Sequence, residues 1–253
     1  MPTRHLIIVA LLAQLLAACA AHVSEAPDAD ATVNEILESS GLRWEIRQAP
    51  LFFRNMKADN PAKKAMLDST RPEIVEPIVA TELRKHLSDE RIGQLREWLR
   101  LPLTKRMIAL ETLGQDAMEL SRFGEELKKH PAAPKRVALL TRLDHATRMS
   151  EKKTDESLQF GLRLGRLEQP NATAAELAEA KKYAASMRPA MVEGVTNKVL
   201  IGNLHTYRYA SEEDLEKYVP FYESPLGHWW SDLRHNLLLT AAQKTTQHFA
   251  RPK

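Results

Sequence analysis

The sequence predicts an all-α protein, and three of its properties lead to that prediction. The chain has 253 residues, of which 43% are hydrophobic and 27% charged, the balance of a globular protein with a core. It contains nine glycines and 6% aromatic residues, and strong helix formers such as alanine, leucine, glutamate and arginine dominate. Alternating apolar and polar runs bounded by Asn-Gly or Gly-Gly turns do not occur in it. These properties disfavour β-sandwiches and Gly-rich phosphate-binding folds.

The N-terminal residues predict a signal peptide that ends in a lipid anchor. Arg4 precedes an apolar run over residues 6–16, which is shorter than the roughly 20 residues that span a bilayer. The segment Leu16-Ala-Ala-Cys19 resembles a bacterial lipobox, and the resemblance implies cleavage before Cys19 and lipid attachment to it. Ordinary signal-peptide cleavage after Ala20 is the alternative. We expect residues 1–18 to be the lipoprotein signal peptide and residues 19–31 to be a tether.

A lipidated Cys19 would place the chain on a membrane surface, because several acyl chains together give stable attachment. The residue that follows is Ala20 rather than aspartate, which by the usual bacterial sorting rule indicates the outer membrane. We therefore expect an anchored protein on the periplasmic face of that membrane. A single cysteine excludes an internal disulfide framework and zinc clusters built on cysteine. The net charge of +3 is too small to indicate nucleic acid, and we expect no such partner.

Caps and prolines mark the helix boundaries along the rest of the chain. Gly41 predicts the end of the first helix, and Pro50 predicts a kink or break in the next, over residues 42–58. Further helix starts are predicted where a capping side chain or a first-turn proline occurs: Asn60-Pro61, Pro72, Ser88, Thr173 with Glu176, Pro189 and Ser211.

An internal repeat is the most informative feature of the sequence. Residues 88–112 and 211–235 align without gaps at an offset of 123, and they share a Ser-acid start and a Pro-Leu pair. Upstream, Arg71-Pro72 and Arg188-Pro189 begin a second match. Any two amphipathic helices would share apolar positions, but not these caps and prolines in order. The aligned apolar pairs are Ile92/Leu215, Leu95/Tyr218, Trp98/Phe221, Leu99/Tyr222, Leu103/Leu226, Met107/Trp230 and Leu110/Leu233.

The repeat predicts an internal duplication of two similar multi-helix modules. We expect module 1 over residues 32–125 and module 2 over residues 150–245. A basic connecting segment, residues 126–149, joins them.

The second copy carries a recognisable motif. Residues 209–227 resemble the conserved end of an uncharacterised bacterial envelope family, domain of unknown function 2059, and residues 36–42 resemble its opening segment. The first module departs from the motif, because Leu101 and Thr104 stand where the family has serine and glycine. The resemblance implies a helical envelope protein and supplies no chemistry. The matching motif positions are Ser211, Leu215, Phe221, Tyr222, Ser224, Pro225 and Gly227.

Motifs for known chemistries are missing from the sequence. It has no nucleophile elbow, phosphate loop, dinucleotide fingerprint or zincin motif, so we predict no catalytic residue, metal or cofactor. His228 and His235 lie seven residues apart and could form half of a metal site, but a third ligand is missing beside them. The acids after Ser211 are interpreted as part of a helix cap rather than as an acid–base pair.

Residues 128–166 hold ten basic side chains against four acidic ones. Such a belt could bind anionic lipid headgroups or an acidic partner, and a solvated helix surface is the alternative. Trp229 aligns with Arg106 and is therefore a candidate for exposure, whereas Trp230 aligns with Met107 and is expected in the core. The candidate contact surface comprises Trp229, Lys128, Lys129, Lys135, Arg136, Lys152 and Lys153.

These observations favour a non-enzymatic, lipid-anchored envelope protein that binds or scaffolds a partner, with another envelope protein as the expected partner. A carrier of an apolar ligand and an envelope enzyme of unknown class are the alternatives. Convergent polar groups in an open pocket would favour the enzyme, and a dry cavity would favour the carrier.

Overall fold

The computed structural model describes residues 28–52, 59–114 and 117–249. Within these ranges every secondary-structure element is a helix, and there are 12 of them, which confirms the all-α prediction. None of these helices is both long enough and apolar enough to cross a bilayer. The helices are α1 Ala29–Ser39, α2 Leu42–Phe52, α3 Pro61–Asp68, α4 Pro72–Arg84, α5 Arg91–Arg100, α6 Pro102–Glu111, α7 Ala117–Lys129, α8 Pro134–Thr147, α9 Met149–Glu168, α10 Ala174–Thr206, α11 Glu212–Glu223 and α12 Pro225–Phe249.

Most of the predicted boundaries are confirmed, each by the expected interaction. Gly41 ends α1 with a φ of 73°, a backbone conformation that residues other than glycine rarely adopt. Asn60 caps α3 by accepting a hydrogen bond from the backbone N–H of Lys63 (2.8 Å). Thr173 and Ser211 each form a complete capping box at the starts of α10 and α11.

Three boundary predictions differ from the structure. Pro189 lies inside α10. It has no N–H to donate to the carbonyl of Ala185, but both residues are exposed, so solvent can reach that carbonyl. Helix α2 does not break at Pro50 but continues to its end at Phe52, so of the predicted kink or break only the kink stays a prediction. Helix α5 begins at Arg91, not after Ser88, because the carboxylate of Asp89 accepts the backbone N–H of Arg91 (3.0 Å).

Two predicted segments also have different limits. Helix α1 begins at Ala29, so the last three residues of the predicted tether are helical, and residues 1–27, including Cys19, lie outside the described part. The predicted connecting segment, residues 126–149, contains α8, whose Leu139, Leu140 and Leu143 are buried. That segment is part of the core, and the basic residues on the outer face of α8 concealed this in the sequence.

One hydrophobic core is built from both halves of the chain. Buried side chains of α1, α2, α4, α5 and α6 pack against those of α8, α10, α11 and α12. Trp230 is among the largest fully buried side chains, as its alignment with Met107 predicted. The core therefore does not divide at the boundary between the two predicted modules.

Helices α9 and α10 form an antiparallel hairpin that extends from this core. Helix α10 has 33 residues, so it is about 50 Å long. Its buried residues begin only at Val199, and the preceding residues 174–198 are exposed or partly exposed. In α9, Gly161 and Gly165 have no atom within 4 Å of an added Cβ, so they do not serve close helix packing.

The two aligned segments have the same helix–break–helix order. Leu101 and Ser224, which are 123 residues apart, each have an extended backbone (ψ 138° and 158°) between two helices. The aligned rings of Trp98 and Phe221 stack on each other, with centroids 3.5 Å apart and an interplanar angle of 8°. The duplication itself stays a prediction, which this correspondence supports.

The contacts around this stack also correspond. Arg106 in α6 pairs with Asp214 in α11. At the equivalent positions of the other half, the Arg91 guanidinium lies 4.5 Å from the centroid of a Trp229 ring. Arg106 thus contacts the residue equivalent to Arg91, and Arg91 contacts the residue equivalent to Arg106, as in a pseudo-two-fold arrangement.

Candidate functional site

A buried polar cluster lies where the two halves meet. The Tyr207 hydroxyl donates to Glu111 Oε1 over 2.6 Å, and the Tyr218 hydroxyl donates to the same oxygen over 2.8 Å. The Tyr222 hydroxyl lies 3.3 Å from that of Tyr218. All three tyrosines are buried, at 3%, 1% and 7% exposure in that order. Their hydroxyls therefore have hydrogen-bond partners within the protein, as buried polar groups require.

An ion pair extends the cluster toward the surface. Arg234 in α12 donates from Nε (3.0 Å) and Nη2 (2.8 Å) to Glu45 Oε2 in α2. Both side chains are partly buried, with 25% and 36% of their surface exposed. The pair joins α2 to α12, so the cluster as a whole connects α2 and α6 with α11 and α12.

The electrostatics of the cluster keep its hydroxyls protonated. Burial raises the pKa of Tyr207, Tyr218 and Tyr222, and the negative charge of Glu111 raises it further. These tyrosines are therefore hydrogen-bond donors at physiological pH and not bases or nucleophiles.

The ion pair remains charged as well. Burial opposes the charge of Arg234, but the charges of Glu45 and Glu111 outweigh it and raise its pKa. Burial likewise opposes the charge of Glu45, yet the charges of Arg234 and Lys153 give a lowered pKa. Both groups thus carry their full charge at neutral pH.

A tight corner between α11 and α12 positions Arg234. Ser224 Oγ donates to the Phe221 carbonyl (2.5 Å) and accepts the Gly227 N–H (3.1 Å), and Pro225 begins α12. A Cβ at Gly227 would lie 2.0 Å from the Phe221 oxygen, so only glycine fits. The Ser-Pro-x-Gly portion of the motif is therefore a structural corner and not a reactive group.

Neither of two surface depressions opens onto this cluster. A groove of about 400 Å³ between α1, α2 and α4 includes Arg47, Glu73 and Glu76 in its lining. A smaller depression of about 150 Å³ lies beside His145, His228 and Asp232. The charged lining of the groove does not favour an apolar ligand.

The histidines singled out in the sequence do not converge. His228 borders the small depression, whereas His235 Nδ1 lies 3.2 Å from a Glu156 oxygen. The buried His205 contacts Glu119 through Nε2 (3.1 Å) and Arg208 through Nδ1 (3.1 Å). In the described ranges no group of three or more histidine, cysteine or acidic residues could hold a metal ion.

The basic residues of the candidate contact surface lie on three helices and are largely paired. Lys128 and Lys129 pair with Glu125 and Glu126 one turn earlier in α7. At the start of α8, Lys135 pairs with Glu216 (2.8 Å). These ion pairs reduce the net charge that the belt offers to an anionic partner.

Of the remaining members of that surface, Arg136, Lys152 and Trp229 contact other helices or segments, and Lys153 is exposed. Arg136 donates to the carbonyls of Tyr207 (3.0 Å) and Ala210 (2.6 Å), just beyond the end of α10. In α9, Lys152 pairs with Asp232 (2.8 Å), whereas Lys153 is exposed. Trp229 is partly buried against the core under Arg91.

Sequence reasoning missed the tyrosine cluster, although the repeat alignment contained a signal. Glu111 and Arg234 are equivalent positions at the offset of 123, and they carry opposite charges on otherwise apolar helix faces. Tyr218 and Tyr222, one turn apart, align with Leu95 and Leu99. Polar replacements at core positions of one copy indicate a buried hydrogen-bond network.

Comparison with known proteins finds no family model, no curated protein and no solved structure that matches this chain.

Proposed function

We propose that the chain is a lipid-anchored protein of the bacterial envelope that binds or scaffolds a partner without catalysis. Cys19 carries the lipid in this proposal, and the helical body stands on the periplasmic side of the outer membrane. Membership of the uncharacterised envelope family, with its Phe221-Tyr-x-Ser-Pro-x-Gly227 motif, is part of the same proposal.

One observation supports the proposal that the protein acts without catalysis. The polar groups that converge in the described core bind one another, and the raised pKa of the three tyrosines keeps them as donors. Such a network joins helices and contributes to conformational specificity. Catalysis instead requires groups with separated pKa values around a space that substrate can enter.

The anchor is tested by growing cells on labelled palmitate. The native chain is expected to carry label and to float with membranes, and Cys19→Ser is expected to lose both. Label that persists on Cys19→Ser would refute the assignment. The unlipidated variant should keep its helical circular dichroism, because Cys19 lies outside the described helices.

The non-catalytic proposal is tested by complementation, after a deletion strain has been screened for a phenotype such as envelope sensitivity. Alanine variants at His145, His228 and Glu193, which are exposed, are expected to complement fully. An interaction surface loses binding at a few anchor residues, by about 2 kcal/mol or more each, and little elsewhere. A stable, membrane-bound variant at one of these three positions without activity would overturn the proposal in favour of an enzyme.

A further inference from the structure

Helix α10 carries an uncovered apolar face along its N-terminal part. Tyr183 is 68% exposed and Met187 is 40% exposed. Residues 176, 180, 183, 187, 190 and 194 follow the alternating three- and four-residue spacing of a coiled-coil face, with alanines at 180 and 190 and a glycine at 194. This face points away from most of the α9 contact, since the partly buried residues of α10 lie around another side.

The same face already serves helix packing farther along α10. There α7 covers it: Ile201 comes within 3.8 Å of a Cβ placed at Gly124, and the ring of His205 lies 5.1 Å from that of Phe123. The exposed stretch over residues 176–198 continues this packed surface beyond the end of α7. An exposed apolar surface that continues a packed one indicates a binding site for another helix.

We infer that this face of α10 binds the same face of a second copy of the chain, antiparallel and centred on Met187. In such a two-fold arrangement, residues equally far from Met187 in opposite directions face each other. Glu176 then faces Lys198 and Ala180 faces Gly194 of the second copy, each of these contacts occurs twice, and the two Met187 side chains meet at the centre.

Charge selects the antiparallel orientation. Glu176 and Lys198 are both exposed, and in the described ranges no carboxylate lies within ion-pair distance of Lys198. Antiparallel pairing brings the two opposite charges together at both ends of the interface. A parallel pair would instead bring Glu176 against Glu176 and Lys198 against Lys198, which is repulsive.

Side-chain size is also complementary along the face. A Cβ at Gly194 would meet nothing within 4 Å, so packing within one chain does not require this glycine, which is unfavourable in a helix interior. Opposite Ala180, however, it lets two helix backbones approach closely. In this register Ala174, the first residue of α10 in the second copy, lies opposite Leu200. The interface therefore ends one residue before Ile201, the residue that contacts α7.

The first test is Gly194→Leu, compared with Gly161→Leu in α9, where an added Cβ also meets nothing within 4 Å. The full chain is purified in detergent from cell envelopes, and its association is measured by sedimentation velocity over a dilution series. We expect the native chain and Gly161→Leu to dimerise equally, and Gly194→Leu to bind at least about tenfold more weakly through overpacking. Both variants should keep the native unfolding temperature or exceed it, which separates loss of the interface from loss of the fold.

The second test is a charge exchange. Lys198→Glu and Glu176→Lys are each expected to weaken the dimer about tenfold, and the double variant is expected to restore it. Restoration cannot come from the α10 cap, since Glu176 is lost in the double variant too. In cells, Met187→Cys is expected to form a disulfide-linked dimer, and Ala185→Cys, on the opposite side of α10, is not.

A chain that stays monomeric throughout the dilution series overturns the inference. So does a double variant as weak as the single ones, or equal cross-linking at positions 185 and 187. None of these outcomes bears on lipidation or on complementation, so the inference can fail while the proposed function holds.

Discussion

Replacing Gly227 with alanine tests the corner between α11 and α12 directly. The new methyl carbon would lie 2.0 Å from the carbonyl oxygen of Phe221 and 2.5 Å from the Cα of Tyr222. Carbon and oxygen atoms normally approach no closer than about 3.3 Å, so the start of α12 must move by about 1 Å or more. The obstructing atoms belong to backbone and cannot rotate away as a side chain would.

That displacement has a calculable effect on stability. Overpacking a rigid site lowers the free energy of unfolding by about 1–3 kcal/mol, and we expect about 3 kcal/mol here because Trp230 and Leu233 move with the helix. For a chain of this size, that loss corresponds to a lowering of the unfolding temperature by about 6–12 °C.

The assay is thermal unfolding followed by circular dichroism, with Gly161→Ala as the matched control. Gly161 lies inside α9 with nothing near an added Cβ, so its replacement should raise stability by up to about 1 kcal/mol. The reasoning is refuted if the two alanine variants unfold at the same temperature.

Three further predictions concern the contacts between the halves. Glu111→Leu removes the acceptor of two buried tyrosine hydroxyls and should lower the free energy of unfolding by about 2–4 kcal/mol in urea titration, whereas Glu111→Gln should lose less. The lowered pKa of Glu45 adds stability above pH 4.5, its ordinary pKa, and that contribution is lost as the pH falls through the lowered value. Arg234→Met should therefore flatten the acid limb of a stability–pH profile, and an unchanged limb would contradict the assigned ion pair. Trp98→Ala should cost about 3–5 kcal/mol by removing the ring stacked on Phe221, and a loss below 1 kcal/mol would show that the stack contributes little.

Local signals in the sequence were sufficient for the helices and for several of their ends. Gly41, Asn60 and Ser211 act through their own backbone angles or their nearest neighbours in sequence, so one short segment contains the whole interaction. The breaks before Pro102 and Pro225 also have a local signal, because proline disfavours a helical conformation of the preceding residue.

Features that depend on distant residues were not predictable in this way. Pro189 remains within α10, where the Ala185 carbonyl that lacks a helical donor is exposed to solvent, and no local pattern in the sequence indicates this exposure. Helix α8 was interpreted as a basic connection, since its charges stand out in the sequence and its three buried leucines do not. The partners of Glu111 lie 96 and 107 residues away, so its role emerged only when the chain was folded.

The cluster that joins Glu45 and Glu111 to the later tyrosines and to Arg234 has a consequence for how the molecule unfolds. Repeat proteins made of stacked units contact only their neighbours and can lose one unit at a time. In this chain Glu45 and Glu111 of the first half bind Arg234, Tyr207 and Tyr218 of the second half. Separation of the two halves would leave these polar groups without their partners and would expose the apolar side chains of the shared core. We therefore expect the two halves to unfold as a single cooperative unit, so the boundary between the two predicted modules is not a boundary of stability.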